Sequence, residues 1–163
     1  MQTNFEAVLR QDEAAILAEA VAPVALLGHY RMDGTDQAFR RIEALFDEVA
    51  AAVGHHDLDG LVAHAKKVAL DRYRAGYELS EVLAAFGTLE EVMRRRLAAR
   101  LPASQRTLGI GLIGTALLHG KEAVGQTYAE LQAEQGFPDL TSLFHRTQPS
   151  DRKLSPEEYV YPA

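Results

Sequence analysis

Hydrophobic residues recur along this chain at steps of three and four, the spacing that lines side chains along one face of an α-helix. Residues 4–22 carry Phe5, Val8, Leu9, Ile16, Leu17, Ala20 and Val21 on one stripe. Pro23 ends this helix or follows its end, because proline donates no backbone hydrogen bond. A loop comes next, with its turn in Met-Asp-Gly-Thr-Asp at 32–36. A second helix is predicted over 36–53 from Phe39, Ile42, Leu45, Phe46, Val49 and Val53, with Gly54 as its stop. Asp57 is the expected N-cap of a third, which carries Leu58, Leu61, Val62, Ala65, Val68, Ala69 and Tyr73 and ends at Gly76. The fourth spans 78–100, with Leu79, Val82, Leu83, Phe86, Leu89, Val92, Met93 and Leu97 in phase. Beyond Pro102 the fifth and longest starts at Ser104 as N-cap and reaches about 136, through Ile110, Ile113, Leu117, Val124, Tyr128 and Leu131.

Short linkers between amphipathic helices favour antiparallel neighbours. The expected fold is therefore all-α, an antiparallel up-and-down bundle of about five helices over 1–136, with an extended C-terminal tail at 137–163. The tail changes character. It holds Pro138, Pro149, Pro156 and Pro162, with Phe144, Tyr159 and Tyr161 as isolated anchors. Within it, Ser155, Pro156 and Glu158 are placed as a capped helical turn.

Composition agrees with this pattern. The chain has 163 residues, 47% hydrophobic and 25% charged, enough for one domain with a real core. Its net charge of −6 speaks against a nucleic-acid partner, which wants a basic face. Without cysteine, neither disulfides nor thiolate metal sites can form. The first residues show no basic and apolar signal segment, and the apolar stretches fall short of the ~20 residues a membrane span needs. A cytoplasmic address is expected.

The stretch 64–97, HAKKVALDRYRAGYELSEVLAAFGTLEEVMRRRL, contains a basic-aromatic helix end at Arg72-Tyr73-Arg74 and the turn Ala75-Gly76-Tyr77. A hydrophobic ladder through Leu79, Val82, Leu83, Phe86 and Leu89 follows. This pattern resembles the N-terminal helical sensor domain of RsbR-type stressosome co-antagonists and of some histidine kinases and transcription regulators. The resemblance covers about 4–135 and is sharpest over 72–89. It implies an all-α, frequently dimeric bundle that regulates an attached output domain, and so a role in signal transduction and stress response. Glu90 stands where the family tends to place an arginine, and the chain ends without an output domain, which shifts the expected regulation to a partner in trans. The physics of the turn stands beside this. Gly76 supplies a left-handed residue, Tyr77 packs beneath it, and Arg72 faces the negative end of a helix dipole.

Chemistry is thinly represented. Di-iron bundles use Glu-x-x-His pairs, which do not occur here. The nearest feature is the reversed pair His119 and Glu122, with His64 as a neighbour and Glu19 or Glu43 as oxygen ligands. These are the candidate cofactor residues, although one such pair is common by chance and a solvated or hydrogen-bonded polar pair is the better account. His55-His56-Asp57 reads as a capping turn, and nothing marks His64 or His119 as a haem ligand. Nucleophile elbows and phosphate-cradling loops are lacking, so neither an enzyme nor a resident cofactor or metal is expected. Helix five carries Gly109, Gly111, Gly114, Gly120 and Gly125, each costing about 1 kcal/mol against alanine. Close packing inside the bundle, a homodimer seam or a small-ligand crevice compensates for that cost. Arg94, Arg95, Arg96, Arg100 and Arg106 form a charged rim or dock an acidic partner. The expectation is a stand-alone regulatory or adaptor module that binds protein and is gated by a small signal. Its interface candidates are Gly109, Gly111, Gly114, Arg95, Phe144, Tyr159 and Tyr161, with Arg72, Gly76 and Tyr77 as the family turn. The alternative is a metal- or haem-binding bundle of ferritin-like or globin-like kind.

Overall fold

The structure, a computed structural model, describes residues 3–136. Among these it forms seven α-helices and no strand: α1 (Phe5–Gln11), α2 (Glu13–Val24), α3 (Gly28–Asp33), α4 (Thr35–His55), α5 (Asp59–Arg74), α6 (Leu79–Arg100) and α7 (Ala103–Glu134). Packing groups Met1–Leu131 into one unit and Gln132–Ala163 into another. The all-α class agrees with the periodicity. No helix of the described residues is long and apolar enough to cross a membrane.

The stripes predicted for helices two to five supply most of the core. Ile42, Phe46, Leu61, Leu89, Met93 and Leu117 are fully buried and belong to one cluster with Ile16 and Leu17 of α2. Phe39 is an exception, 40% exposed, while its neighbour Ala38 turns inward.

Five boundaries differ from expectation. The single helix predicted over 4–22 is two. The chain leaves helical geometry at Asp12, whose side chain is buried and grips Arg100 of α6, Nε at 3.0 Å and Nη2 at 2.5 Å. That carboxylate caps nothing, and the apolar phase continues across the break. Pro23 lies inside the last turn of α2 rather than beyond it. The predicted loop over 23–35 contains the six-residue α3, which Gly34 closes with φ 94°. Gly54 does not stop α4. The helix runs on to His55 and His56 takes the left-handed conformation, φ 52°. Gly54 is instead the place where α1 comes close, since a Cβ there would stand 2.4 Å from a carboxylate oxygen of Glu6. Ser104 falls within the first turn of α7 and is not its cap.

The α5–α6 corner follows the sequence closely. Gly76 has φ 86°, its N–H donates to the Tyr73 carbonyl at 3.0 Å, and Tyr77 N–H donates to the Arg72 carbonyl at 2.9 Å. This is the paired closure of a glycine-terminated helix, or Schellman motif. α6 then opens with a reciprocal box between Glu78 and Glu81.

Candidate functional site

The densest polar constellation lies where α3, α4 and the α5–α6 corner meet. Tyr77, brought inward by the Gly76 turn, packs edge-on against Tyr30 of α3 with ring centroids 5.0 Å apart. Arg41 of α4 and Arg72 of α5 both lie over these rings, at 5.5 and 5.7 Å from the Tyr77 centroid. Arg41 donates to the Tyr77 hydroxyl at 2.6 Å and to Asp33 at 2.9 Å, and the hydroxyl donates to Asp33. The Tyr77 ring also stacks, tilted, on His29 at 4.9 Å. Behind it the Tyr128 hydroxyl of α7 donates to the Tyr77 carbonyl at 3.0 Å.

Glu81 fastens the start of α3 to the start of α6. It accepts from the His29 backbone N–H at 3.1 Å, stands 2.8 Å from the His29 ring nitrogen, and accepts from Glu78 N–H at 3.0 Å. Gly28 lies close beside it: a Cβ there would stand 2.0 Å from a Glu81 oxygen, so a side chain at 28 would displace that carboxylate.

The electrostatics follow from these contacts. The Tyr77 hydroxyl and the Arg41 guanidinium hold the Asp33 carboxyl below its ordinary range. Burial pulls Arg41 down, but its bonds to Tyr77 and Asp33 prevail and raise it. Burial raises Tyr30 and Tyr77, in Tyr30 against the pull of Arg72 and Arg41. Tyr128 is pushed up to about 12 by burial. Arg41 is held by Asp33 and Tyr77, and burial keeps the Tyr30, Tyr77 and Tyr128 phenols neutral, which suits a rigid joint.

Of the predicted positions, the structure unites Arg72, Gly76 and Tyr77. It does not unite His64, His119 and Glu122. His64 faces α4 from a half-buried position on α5, while His119 and Glu122 stand exposed on α7, 3.9 Å apart. Among the described residues no three His, Asp or Glu side chains gather as a metal would need. The arginine run works within the fold. Arg95 pairs with Glu19 of α2 at 2.9 Å, Arg96 joins the same carboxylate, and Arg94 pairs with Glu90 at 3.6 Å. Glu90 also receives Lys121 of α7 at 3.3 Å, so it ties two helices together. Phe144, Tyr159 and Tyr161 lie outside the described residues.

The glycines of α7 divide by face. Gly109 is buried, and a Cβ there would come within 2.7 Å of Leu101 and 2.9 Å of Leu97, so it is an internal packing position and not a surface one. Gly120 lies under Phe86. Gly111, Gly114 and Gly125 have nothing within 4 Å of the place a Cβ would take. With them on the outer face stand Leu108, 60% exposed, Thr115, and Leu118, 53% exposed. An apolar cleft of about 170 Å³ lined by Val53, Leu58, Leu112 and Thr115 runs beside this face.

Sequence reasoning missed His29, Tyr30, Asp33, Arg41 and Glu81. The signal available was the aromatic and charged run His29–Asp33 between two helices. No protein-family model, curated protein or solved structure matches this chain.

Proposed function

We propose that this chain is a cytoplasmic regulatory module that binds protein, and that its first partner is a second copy of itself, held along the outer face of α7. In this reading α2, α4, α5, α6 and α7 are the five antiparallel members of the bundle, and α1 and α3 are additions to it. The outer face of α7 carries the argument. From Thr107 to Leu118 it has no charged side chain, although it lies at the surface of a chain with net charge −6. A helix with an inner face already buried has no need of a second apolar face inside its own fold.

The order of residues on that face fits self-association. Leu108, Gly111, Thr115 and Leu118 read large, small, small, large in either direction about position 113. A two-fold contact requires the same patch on both copies, with residue i meeting j and j meeting i. In an antiparallel pair of α7 helices, Leu108 meets the other copy's Leu118, while Gly111 and Thr115 let the backbones approach. The cleft beside Leu112 and Thr115 gives the large side chains depth. The resemblance of 72–89 to dimeric sensor domains points the same way, as does the absence of catalytic geometry among the described residues. Signalling in a stress response, exerted in trans, is the role proposed for the pair.

Sedimentation equilibrium of the full chain tests this. A dimer is expected, and Leu118→Glu, which sets a carboxylate against the other copy's Leu108 in an apolar seam, should give a monomer with an unchanged helical spectrum. A monomeric wild-type chain at tens of micromolar, or a Leu118→Glu dimer as tight as wild type, overturns the reading.

A further inference from the structure

On the far side of the arginine–tyrosine joint, α4 and α5 enclose a groove of about 180 Å³ lined by Arg40, Arg41, Ala44, His64, Lys67, Val68, Asp71 and Arg72. Arg41 is committed to Asp33 and Tyr77. Arg40, Lys67 and Arg72 have no ion-pair partner among the described residues. Against these three cations the groove sets one acid, Asp71. Two of its lining residues each carry a buried nitrogen with no hydrogen-bond partner, Arg72 Nε and His64 Nε2, just beneath the groove. A buried donor without an acceptor has lost its water and gained nothing in exchange, so such atoms mark where an acceptor belongs. A local excess of positive charge is also against the balance of an acidic protein.

We propose that this groove binds a small oxyanion, a phosphate ion or phosphate monoester, with Arg72 Nε and His64 Nε2 as its buried donors. Arg40 and Lys67, both exposed at the rim, close over the charge. Arginine's planar fork suits phosphate oxygens, and partial burial keeps the attraction from being screened. The volume lies below the ~300 Å³ from which drug-sized pockets begin, which fits a phosphate with a small substituent. Burial keeps the His64 imidazole disposed to neutrality, with the field of Glu48 opposing and those of Lys67 and Arg72 reinforcing. A neutral ring still carries one N–H, and an anion selects the tautomer that points it into the groove.

Arg41 and Arg72 line this groove and also flank Tyr30 and Tyr77. An anion drawn against them therefore bears on α3 and the α5–α6 corner. Binding itself stands apart from the proposed dimer, and only its use as the gating signal rests on that function.

The test is ¹H–¹⁵N NMR of the full chain, including arginine side-chain Nε–H signals, titrated with inorganic phosphate and, in parallel, with chloride at matched ionic strength. A saturable shift of the Arg72 Nε–H signal is expected, half complete at or below about 1 mM phosphate. The double substitution of the exposed rim, Arg40→Gln with Lys67→Gln, should weaken it about tenfold or more, while Lys66→Gln, outside the groove, leaves it unchanged. Glycerol phosphate binding more tightly than phosphate identifies a monoester as the ligand, and the reverse order identifies the free ion. A response linear in phosphate, an equal response to chloride, or full binding by the rim variant overturns the site. A phosphopeptide binding tenfold tighter than either overturns the small-ligand assignment. The Leu118→Glu variant should bind phosphate as wild type does, so loss of the dimer and loss of the anion site are separately visible.

Discussion

At the scale of residues, Tyr77 decides most. Its hydroxyl is the meeting point of Arg41 and Asp33, and its ring is covered by Arg41, Arg72, Tyr30 and His29. Tyr77→Phe keeps the ring contacts and removes the hydroxyl, leaving Arg41 and Asp33 to each other. The loss should be about 1–2 kcal/mol, seen as a fall of about 3–8 °C in Tm by circular dichroism. A Tm within one degree of wild type sinks this account of the joint. Half of the joint was legible in the sequence. Arg72, Gly76 and Tyr77 declare themselves because a left-handed glycine between a basic helix end and an aromatic has few other uses. Asp33 and Arg41 do not, because they reach Tyr77 from 44 and 36 residues away. Neighbours in a chain reveal turns, and only packing reveals such distant partners.

At the scale of elements, the outcome turned on length and phase. Long helices with sustained stripes were predictable, whereas α3 is too short to show any period. The break at Asp12 was hidden because the apolar positions of α1 and α2 stay in phase across it. Glycine was ambiguous for a related reason, since close approach and termination use the same residue. α7 separates these uses by substitution. Gly109→Ala must push Leu97, Leu101 and Phe5 aside, so it should destabilise by about 1–3 kcal/mol less the gain in helix propensity. Gly111→Ala meets nothing and should stabilise the protomer by about 1 kcal/mol. The same methyl group should weaken the dimer. Denaturant unfolding of dilute protein, paired with sedimentation, reads the two effects with opposite sign; a Gly111→Ala chain that loses stability contradicts an open outer face.

For the whole molecule, the titrating groups set the pH range in which it holds together. Burial lowers His64 from 6.5, so its contribution is present above that value and lost as pH falls through the folded pKa. Asp33 and Glu19 are lowered by their bonded partners, Tyr77 and Arg41 for the first and Arg96 for the second. Their contributions are present above about 4.5 and lost below it. Tyr30, Tyr77 and Tyr128 are raised by burial, so theirs is present below 10 and disappears as pH climbs through the folded values, about 12 for Tyr128. Calorimetry should show a Tm plateau between about pH 7 and 10, a shallow decline below 7 and a steep one below 4.5. His64→Gln should erase the shallow decline alone. If that decline survives the substitution, the buried imidazole is not its source.

The grip of Asp12 on Arg100, 88 residues along the chain, carries a consequence for biosynthesis. α1 and α2 find their packing on α4 and α6, so they leave a ribosome before the helices that cover them. At roughly 5–20 residues per second, the apolar stripe of α2 waits several seconds before Arg100 emerges. During that interval Ile16, Leu17 and Val21 are open to chaperones. A nascent chain halted before α6 should therefore be held by them, and one released after Arg100 should let go.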